Sequence, residues 1–311
     1  MTLIAFYDGA ENTTFNKWHH CLQASDPEFT LVPLMDKQAD KAEIALVWNM
    51  PAGRLAELKQ LKLICSLGQG VDHLWKDSQF PPSIPVIRLV DPNMSHALSQ
   101  WVLAVLLDYL RDSPFYRTNQ LKREFNKVPQ RDTTGLNVAI YGIGAIGSVV
   151  AQNLQSLQFT VQGWAHSHKD KLSIKQAYGE SGFQEMLAGN LVHICLLPLT
   201  SKTRGVFSRA AFEQMPKGAY FINAGRGDHV VEQDLLASIK ASHLSGAALD
   251  VFRQEPLPAS HPFWEEQRIS IWPHVAAQTS PDTATAQIQQ AIYDINSGNM
   301  PKNLVDRTRE Y

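Results

Sequence analysis

Three cysteines in 311 residues, Cys21, Cys65 and Cys195, are odd in number and far apart, which excludes a disulfide framework and leaves no zinc-type spacing. Cys65 and Cys195 lie inside apolar runs (Leu63-Ile64-Cys65 and His193-Ile194-Cys195-Leu196-Leu197), so buried free thiols in a reducing compartment are expected, and no metal. Neither sign of charge dominates. The 28 Lys and Arg against 30 Asp and Glu leave a net charge of -2, too balanced for a nucleic-acid or anionic-membrane surface. No apolar run approaches the length of a membrane span. The N-terminal Met1-Thr2-Leu3-Ile4-Ala5-Phe6-Tyr7 has no basic flank and meets Asp8, so it reads as a first strand and not as a signal peptide. Short-period repeats and low-complexity tracts are also missing. What remains is a cytoplasmic globular protein with a small-molecule partner, and its length makes two domains the natural expectation.

Short apolar runs alternate with longer amphipathic ones, the pattern of βα units and parallel sheets. In the first third, strands are expected at 3–7, 44–48, 62–66 and 86–89, separated by turn signals at Asp8-Gly9, Met50-Pro51-Ala52-Gly53 and Phe80-Pro81-Pro82. Leu98, Trp101, Val102, Val105, Leu106, Tyr109 and Leu110 then recur at three- and four-residue steps. That spacing predicts a long helix, capped at Ser95 and closed at Pro114. Residues 122–134 are polar and read as a surface excursion. Six tighter strands follow at 138–141, 160–164, 193–197, 220–223, 246–251 and 269–272, matching a doubly wound dinucleotide-binding domain. A last helix is expected over 281–297. The fold class is α/β: two Rossmann-like lobes, one flavodoxin-like and one doubly wound, with a cleft between them.

Gly142-Ile143-Gly144-Ala145-Ile146-Gly147 follows a strand-like Asn137-Val138-Ala139-Ile140-Tyr141 and precedes a helical Ser148-Val149-Val150-Ala151. In that context Gly142 permits the tight turn, Gly144 lets a pyrophosphate approach the backbone, and Gly147 lets helix and strand pack closely. The N–H groups of the helix N-terminus, at Ala145 and Ile146, complete a phosphate site. A plain strand-to-helix turn is the competing reading. About 20 residues further on, NAD enzymes carry an acid for the ribose 2′-hydroxyl. Here the chain has His166-Ser167-His168-Lys169, with no acid until Asp170. A cationic or neutral patch suits a 2′-phosphate, so NADPH is the expected cofactor and NADH the alternative. Histidine is a weak anion ligand once neutral, and an ordinary surface loop also accounts for these residues.

Three polar residues each follow a strand-like run: Arg226 in Asn223-Ala224-Gly225-Arg226-Gly227, Glu255 in Gln254-Glu255-Pro256, and His274 in Trp272-Pro273-His274. Reducing a 2-oxo acid requires an anchored carboxylate, a polarised carbonyl and a proton for the developing alkoxide. An arginine fork suits the first two tasks. Histidine suits the third, and a neighbouring carboxylate favours its protonated form and fixes its orientation. Taken singly, a turn arginine, a solvated loop acid and a hydrogen-bonded core histidine explain the same residues. Jointly, their positions past strand C-termini, where open α/β sheets bind ligands, point to a catalytic set.

With these motifs in view the chain resembles the D-isomer-specific 2-hydroxyacid dehydrogenases over essentially its whole length. The likeness rests on Ala45-Leu46-Val47-Trp48, Leu67-Gly68-Gln69-Gly70-Val71-Asp72, the glycine turn, Leu196-Leu197-Pro198, Ala224-Gly225-Arg226-Gly227, Leu249-Asp250-Val251-Phe252, Glu255-Pro256-Leu257-Pro258 and Pro273-His274-Val275-Ala276-Ala277. The resemblance implies reduction of a small 2-oxo acid, glyoxylate or hydroxypyruvate, with His274 as proton donor, Glu255 as its partner and Arg226 as the polarising cation. It implies that Gln69 and Gly70 hold the substrate carboxylate through backbone N–H groups and that Trp48 walls the substrate. Cofactor contacts are implied at Gly142, Gly144, Ala145, Ile146 and Gly147, and at His166, His168 and Lys169. Further contacts are implied at Leu197, Pro198, Ala224, Asp250, His274 and Ala276, with Asp250 near the nicotinamide carboxamide. Residues 1–97 with 280–311 would form the substrate-binding lobe and 98–279 the dinucleotide-binding lobe, through which members of the family usually form dimers. Relatives carry arginines where this chain has His166 and His168, which weakens the inherited NADPH preference. A broader 2-hydroxyacid dehydrogenase of the pyruvate or phenylpyruvate type, and a nucleotide-responsive binding protein without catalysis, are the competing functions.

Overall fold

In the computed structural model the residues described are 1–9, 13–168 and 172–311. The chain forms two compact units, Met1–Met94 with Gln278–Tyr311, and Ser95–Ala277. These divisions fall three and two residues before the expected ones. The reason lies in one helix start. Asp91 is held within the first unit by the Thr283 hydroxyl, which donates to its Oδ2 at 2.7 Å, whereas Leu98 is already in the core of the second.

The first unit carries a five-stranded parallel sheet of β1 (Thr2–Tyr7), β2 (Phe29–Pro33), β3 (Ile44–Val47), β4 (Leu63–Ser66) and β5 (Val86–Arg88), in the order β2-β1-β3-β4-β5. That is the flavodoxin-like order. The inner strands β3 and β4 are buried at every position, because both sheet faces are covered. Strand β2 was not anticipated. It is an edge strand ending in Pro33, which a ladder tolerates only at an edge. Helix α1 (Phe15–Ser25) and the final helix cover one face, through Trp18 and Leu22 and through Ile288 and Ile292. Leu55 of the short α2 (Arg54–Glu57) packs on the other, with Leu74 and Val305.

Helix α3 (Pro92–Leu110) starts three residues before the expected Ser95 cap, because the Asp91 carboxylate accepts the Asn93 N–H at 2.9 Å. Pro114 does not close this helix. It opens α4 (Ser113–Lys122) from the first turn, where its missing N–H costs nothing. The second unit then builds a seven-stranded parallel sheet: β6 (Asn137–Tyr141), β7 (Thr160–Ala165), β8 (Lys175–Tyr178), β9 (Val192–Cys195), β10 (Tyr220–Asn223), β11 (Gly246–Leu249) and β12 (Ile269–Ile271). Its order, β12-β11-β10-β9-β6-β7-β8, is doubly wound, with the switch point at β6 and β9. Six strands were expected. The seventh, β8, is a polar edge strand whose sequence, Lys175-Gln176-Ala177-Tyr178, lacks an apolar run. Helix α3 and α5 (Ala145–Ser156) cover one face through Val102, Leu106, Val150 and Leu154. α6 (Gly179–Gly189), α7 (Arg209–Gln214) and α8 (Glu232–Lys240) cover the other through Phe183, Phe212 and Leu235. Each such fully buried side chain contributes about 1.5–3 kcal/mol. The chain ends with α9 (Pro281–Asn296) in the first unit.

Candidate active site

Strand pairing decides which loops become neighbours. Tyr141 pairs with Cys195, Cys195 with Asn223, and Asn223 with Leu249, which in turn lies beside Ile271. The glycine turn, Leu197 and Pro198, Ala224 to Arg226, Asp250 to Glu255, and His274 to Ala276 therefore leave one sheet edge in that order.

The glycine turn has the stereochemistry a dinucleotide needs. Gly142 has φ +100°, and a Cβ there would stand 2.6 Å from the Leu196 carbonyl oxygen. A Cβ on Gly147 would be 2.1 Å from the Gly142 carbonyl oxygen, so helix α5 can approach β6 only without one. A Cβ on Gly144 would meet nothing within 4 Å. That open position, beside the unpaired N–H groups of the first helical turn, is room for a phosphate and fits a dinucleotide. Ala145 and Ile146 form that first turn.

At the end of β7 both His166 and His168 are exposed. His168 Nδ1 is hydrogen-bonded to the Tyr178 hydroxyl, which donates to Gln176 Oε1 at 3.0 Å. The expected contact at Lys169 lies outside the described residues, as do Asp170 and Lys171.

Beyond β10 the buried Asn223 shapes the turn. Its Oδ1 accepts the Gly225 N–H and its Nδ2 donates to the Arg226 carbonyl, each at 3.0 Å. The fully buried His229 accepts the Arg226 N–H on Nδ1 at 3.0 Å. With Nδ1 an acceptor, its Nε2–H donates to the Pro198 carbonyl at 3.2 Å. Arg226 is half-buried, with Nη1 donating to the Gly225 carbonyl at 2.7 Å. A Cβ on Gly227 would stand 1.9 Å from the Phe252 carbonyl carbon, so this turn packs directly on the loop that carries Glu255.

His274 Nδ1–H donates to Glu255 Oε2 at 2.7 Å, and the two side chains are 36% and 35% exposed. Glu255 Oε1 accepts the Phe252 N–H at 2.9 Å, so both carboxylate oxygens are engaged. Burial pushes the Glu255 carboxyl up, but the hydrogen bonds from His274 and Phe252 and the charges of His274 and Arg226 outweigh it. The net position is below the ordinary 4.5. His274 has a left-handed backbone, φ +55°. The buried Asp250 stabilises that turn: its carbonyl accepts the His274 N–H at 2.9 Å, and its carboxylate accepts Val275 N–H at 2.8 Å and Ala276 N–H at 3.0 and 3.1 Å. Burial raises the Asp250 carboxyl, and these N–H donors partly offset it.

A depressed carboxyl contributes stability that is present above its unfolded value and lost as pH falls through the lower folded one. Glu255→Gln removes that contribution. The wild-type advantage in melting temperature at pH 7 is therefore expected to shrink as pH falls below 4.5 and to be lost once the carboxyl is protonated in the folded state as well. A gap that stays constant over that range would show that the carboxylate charge is not its source.

Arg226, Glu255 and His274 are thus brought together in the second unit. Trp48, Gln69 and Gly70 belong to the first. There the Trp48 ring lies over Gly68, where a Cβ would be 2.9 Å from the ring. Among the described residues neither the Gln69 N–H nor the Gly70 N–H has an acceptor, and Gln69 Nε2 is buried without one. Such a group of donors suits an anion. Asn223 and His229 went unassigned in the sequence, although an Asn ahead of Gly225 is a turn signal. The Asp250 brace has no sequence signal, because its partners lie 25 and 26 residues away. No group of three or more metal-ligating side chains occurs among the described residues, and no described helix is long and apolar enough to cross a membrane.

Comparison with known proteins places the chain in a family. A family model described as D-isomer specific 2-hydroxyacid dehydrogenase, NAD binding domain, matches residues 103–276. Glyoxylate/hydroxypyruvate reductase A of Photorhabdus laumondii is 35% identical over 306 residues, 97% of this chain and 96% of that protein. A D-isomer specific 2-hydroxyacid dehydrogenase from Xanthobacter autotrophicus Py2, solved with NADPH and MES, superimposes with TM-score 0.92 at 33% identity over 99% of both chains. The NADPH-dependent glyoxylate/hydroxypyruvate reductase of Sinorhizobium meliloti, solved with NADP and sulfate, gives TM-score 0.91 at 28% identity over 100% of both. Fold and site define the class of nucleotide-dependent oxidoreductases built on parallel α/β sheets. Within it, the chain belongs to the D-isomer-specific 2-hydroxyacid dehydrogenase family.

Proposed function

We propose that this protein reduces a small 2-oxo acid, glyoxylate or hydroxypyruvate, to the corresponding 2-hydroxy acid with NADPH. The observation that carries the reading is the 2.7 Å His274–Glu255 hydrogen bond, set beside the Arg226 charge on the same sheet edge as the glycine turn. When bound, the nicotinamide cofactor supplies the hydride for the carbonyl carbon. Gly142, Gly144 and Gly147, with the N–H groups at Ala145 and Ile146, hold its pyrophosphate; Leu197, Pro198, Ala224, Asp250 and Ala276 line its path. His166, His168 and Lys169 take its 2′-phosphate.

Arg226 polarises the substrate carbonyl, because a guanidinium stays charged at every working pH. Glu255 occupies His274 Nδ1, so Nε2 is the nitrogen left to deliver the proton, and the carboxylate fixes the orientation of the ring. The Gln69 and Gly70 N–H groups bind the carboxylate, and Trp48 limits the group carried on the keto carbon. We also assign a homodimer through the second unit, in the cytoplasm. The exposed Leu121 and Phe125 (87% and 96%) of that unit support an interface there.

One substrate panel tests the reading: NADPH and NADH oxidation with glyoxylate, hydroxypyruvate, pyruvate and phenylpyruvate. The expected result is turnover of the two small acids, with a higher kcat/KM for NADPH than for NADH. No turnover with any of the four would reject catalysis, a preference for phenylpyruvate would reject the small-substrate assignment, and equal use of both nucleotides would remove the 2′-phosphate role.

A further inference from the structure

In the first unit a buried hydrogen-bond chain ends on the loop that carries Gln69 and Gly70. Strand β4 finishes at Ser66, which is 0% exposed, and His73 is 5% exposed. The Asn49 N–H donates to His73 Nδ1 at 3.2 Å, which leaves the ring proton on Nε2. His73 Nε2–H therefore donates to Ser66 Oγ at 3.1 Å, and the Ser66 hydroxyl donates to the Gly70 carbonyl at 2.8 Å. Each link sets the polarity of the next. The chain runs from the residue after Trp48 to Gly70, and the Trp48 ring lies 4.4 Å from the His73 ring, centroid to centroid.

The loop has few other ties. Leu67 N–H reaches the Val47 carbonyl at 3.1 Å, and Gly68 N–H lies 3.4 Å from the same Ser66 hydroxyl. Glycine has the widest backbone freedom of any residue, so Gly70 needs an external anchor to hold one orientation. A buried polar chain adds little net stability over an apolar core of the same shape, but it does specify geometry.

We propose that Ser66 and His73 are positioning residues for the reaction: they fix the Gly70 peptide so that the Gln69 and Gly70 N–H groups meet the substrate carboxylate together. This rests on the reading of those N–H groups as the carboxylate site. Neither side chain need touch substrate.

The experiment compares Ser66→Ala, His73→Phe, the double variant and His73→Gln in the full-length protein, by steady-state kinetics, melting curves and amide hydrogen exchange. Phenylalanine keeps the ring against Trp48 and removes both nitrogens; glutamine can still accept and donate. KM for the 2-oxo acid is expected to rise about tenfold in each of the first two variants, as for a weakened hydrogen bond. kcat and the KM for NADPH should stay near wild type, and exchange at residues 67–71 should accelerate. The double variant should be no worse than either single one, and His73→Gln should recover most of the loss. Additive effects, unchanged exchange, or faster exchange with an unchanged substrate KM would each overturn the proposal. A wild-type protein that turns over no 2-oxo acid overturns this proposal and the reductase reading together. One that does, while its substrate KM ignores Ser66→Ala, overturns the positioning role alone.

Discussion

Replacing His274 with asparagine is expected to lower kcat about 100-fold or more, the usual contribution of a positioned proton donor. The choice of asparagine follows from the backbone. His274 sits at φ +55°, a region that costs most L-residues roughly 1–2 kcal/mol and that asparagine tolerates best after glycine. The variant therefore keeps the turn that Asp250 braces through the N–H groups of residues 274–276. Glu255 keeps its Phe252 N–H donor and remains about one-third exposed, so the orphaned carboxylate can be hydrated. KM for NADPH and the melting temperature should change little. A kcat near wild type at pH 7, measured as NADPH oxidation with glyoxylate, would end the proton-donor assignment.

The second large effect is expected at Arg226, where lysine is more informative than alanine. Lysine keeps the positive charge that helps hold the Glu255 carboxyl low, but it lacks the planar fork. Removing one donor from a developing oxyanion costs about 100- to 1,000-fold in kcat. Arg226→Lys should therefore fall into that range in kcat/KM, and Arg226→Gln should fall further, because it loses charge as well as geometry. The two glycines beside Arg226 make the comparison clean. Gly227 packs on the Phe252 backbone, and Gly225 is tied to Asn223, so these contacts still hold the turn when the Arg226 Nη1 bond to the Gly225 carbonyl is lost. If Arg226→Lys retains wild-type kcat/KM, the fork has no part in the transition state.

Much of this site could be read from the linear chain. A strand, the spacing Gly142, Gly144 and Gly147, and a helix behind them already state the stereochemistry that the structure then displays in the Gly142 φ and the Gly147–Gly142 approach. The inner strands were legible for an equally local reason: covered on both faces, they are buried at every position and mostly apolar. Edge strands are less so: β8 buries only Ala177 among polar neighbours, and β2 is a short run closed by Pro33. The start of α3 was misplaced because Ser95 is as good a cap by composition as Asp91. The first hydrogen bond of the helix goes to Asp91.

The chain by itself determined the α/β class, the dinucleotide turn and the residue types at positions 226, 255 and 274, since each depends on residues close in sequence. Only the tertiary structure decided that the imidazole and carboxylate meet at 2.7 Å, that Asp250 braces the turn at 274, and that the Asn49 N–H meets His73. Those contacts join segments up to 26 residues apart. Local propensity carries no information about them, because they form when parallel strands pair in register and bring their C-terminal loops side by side.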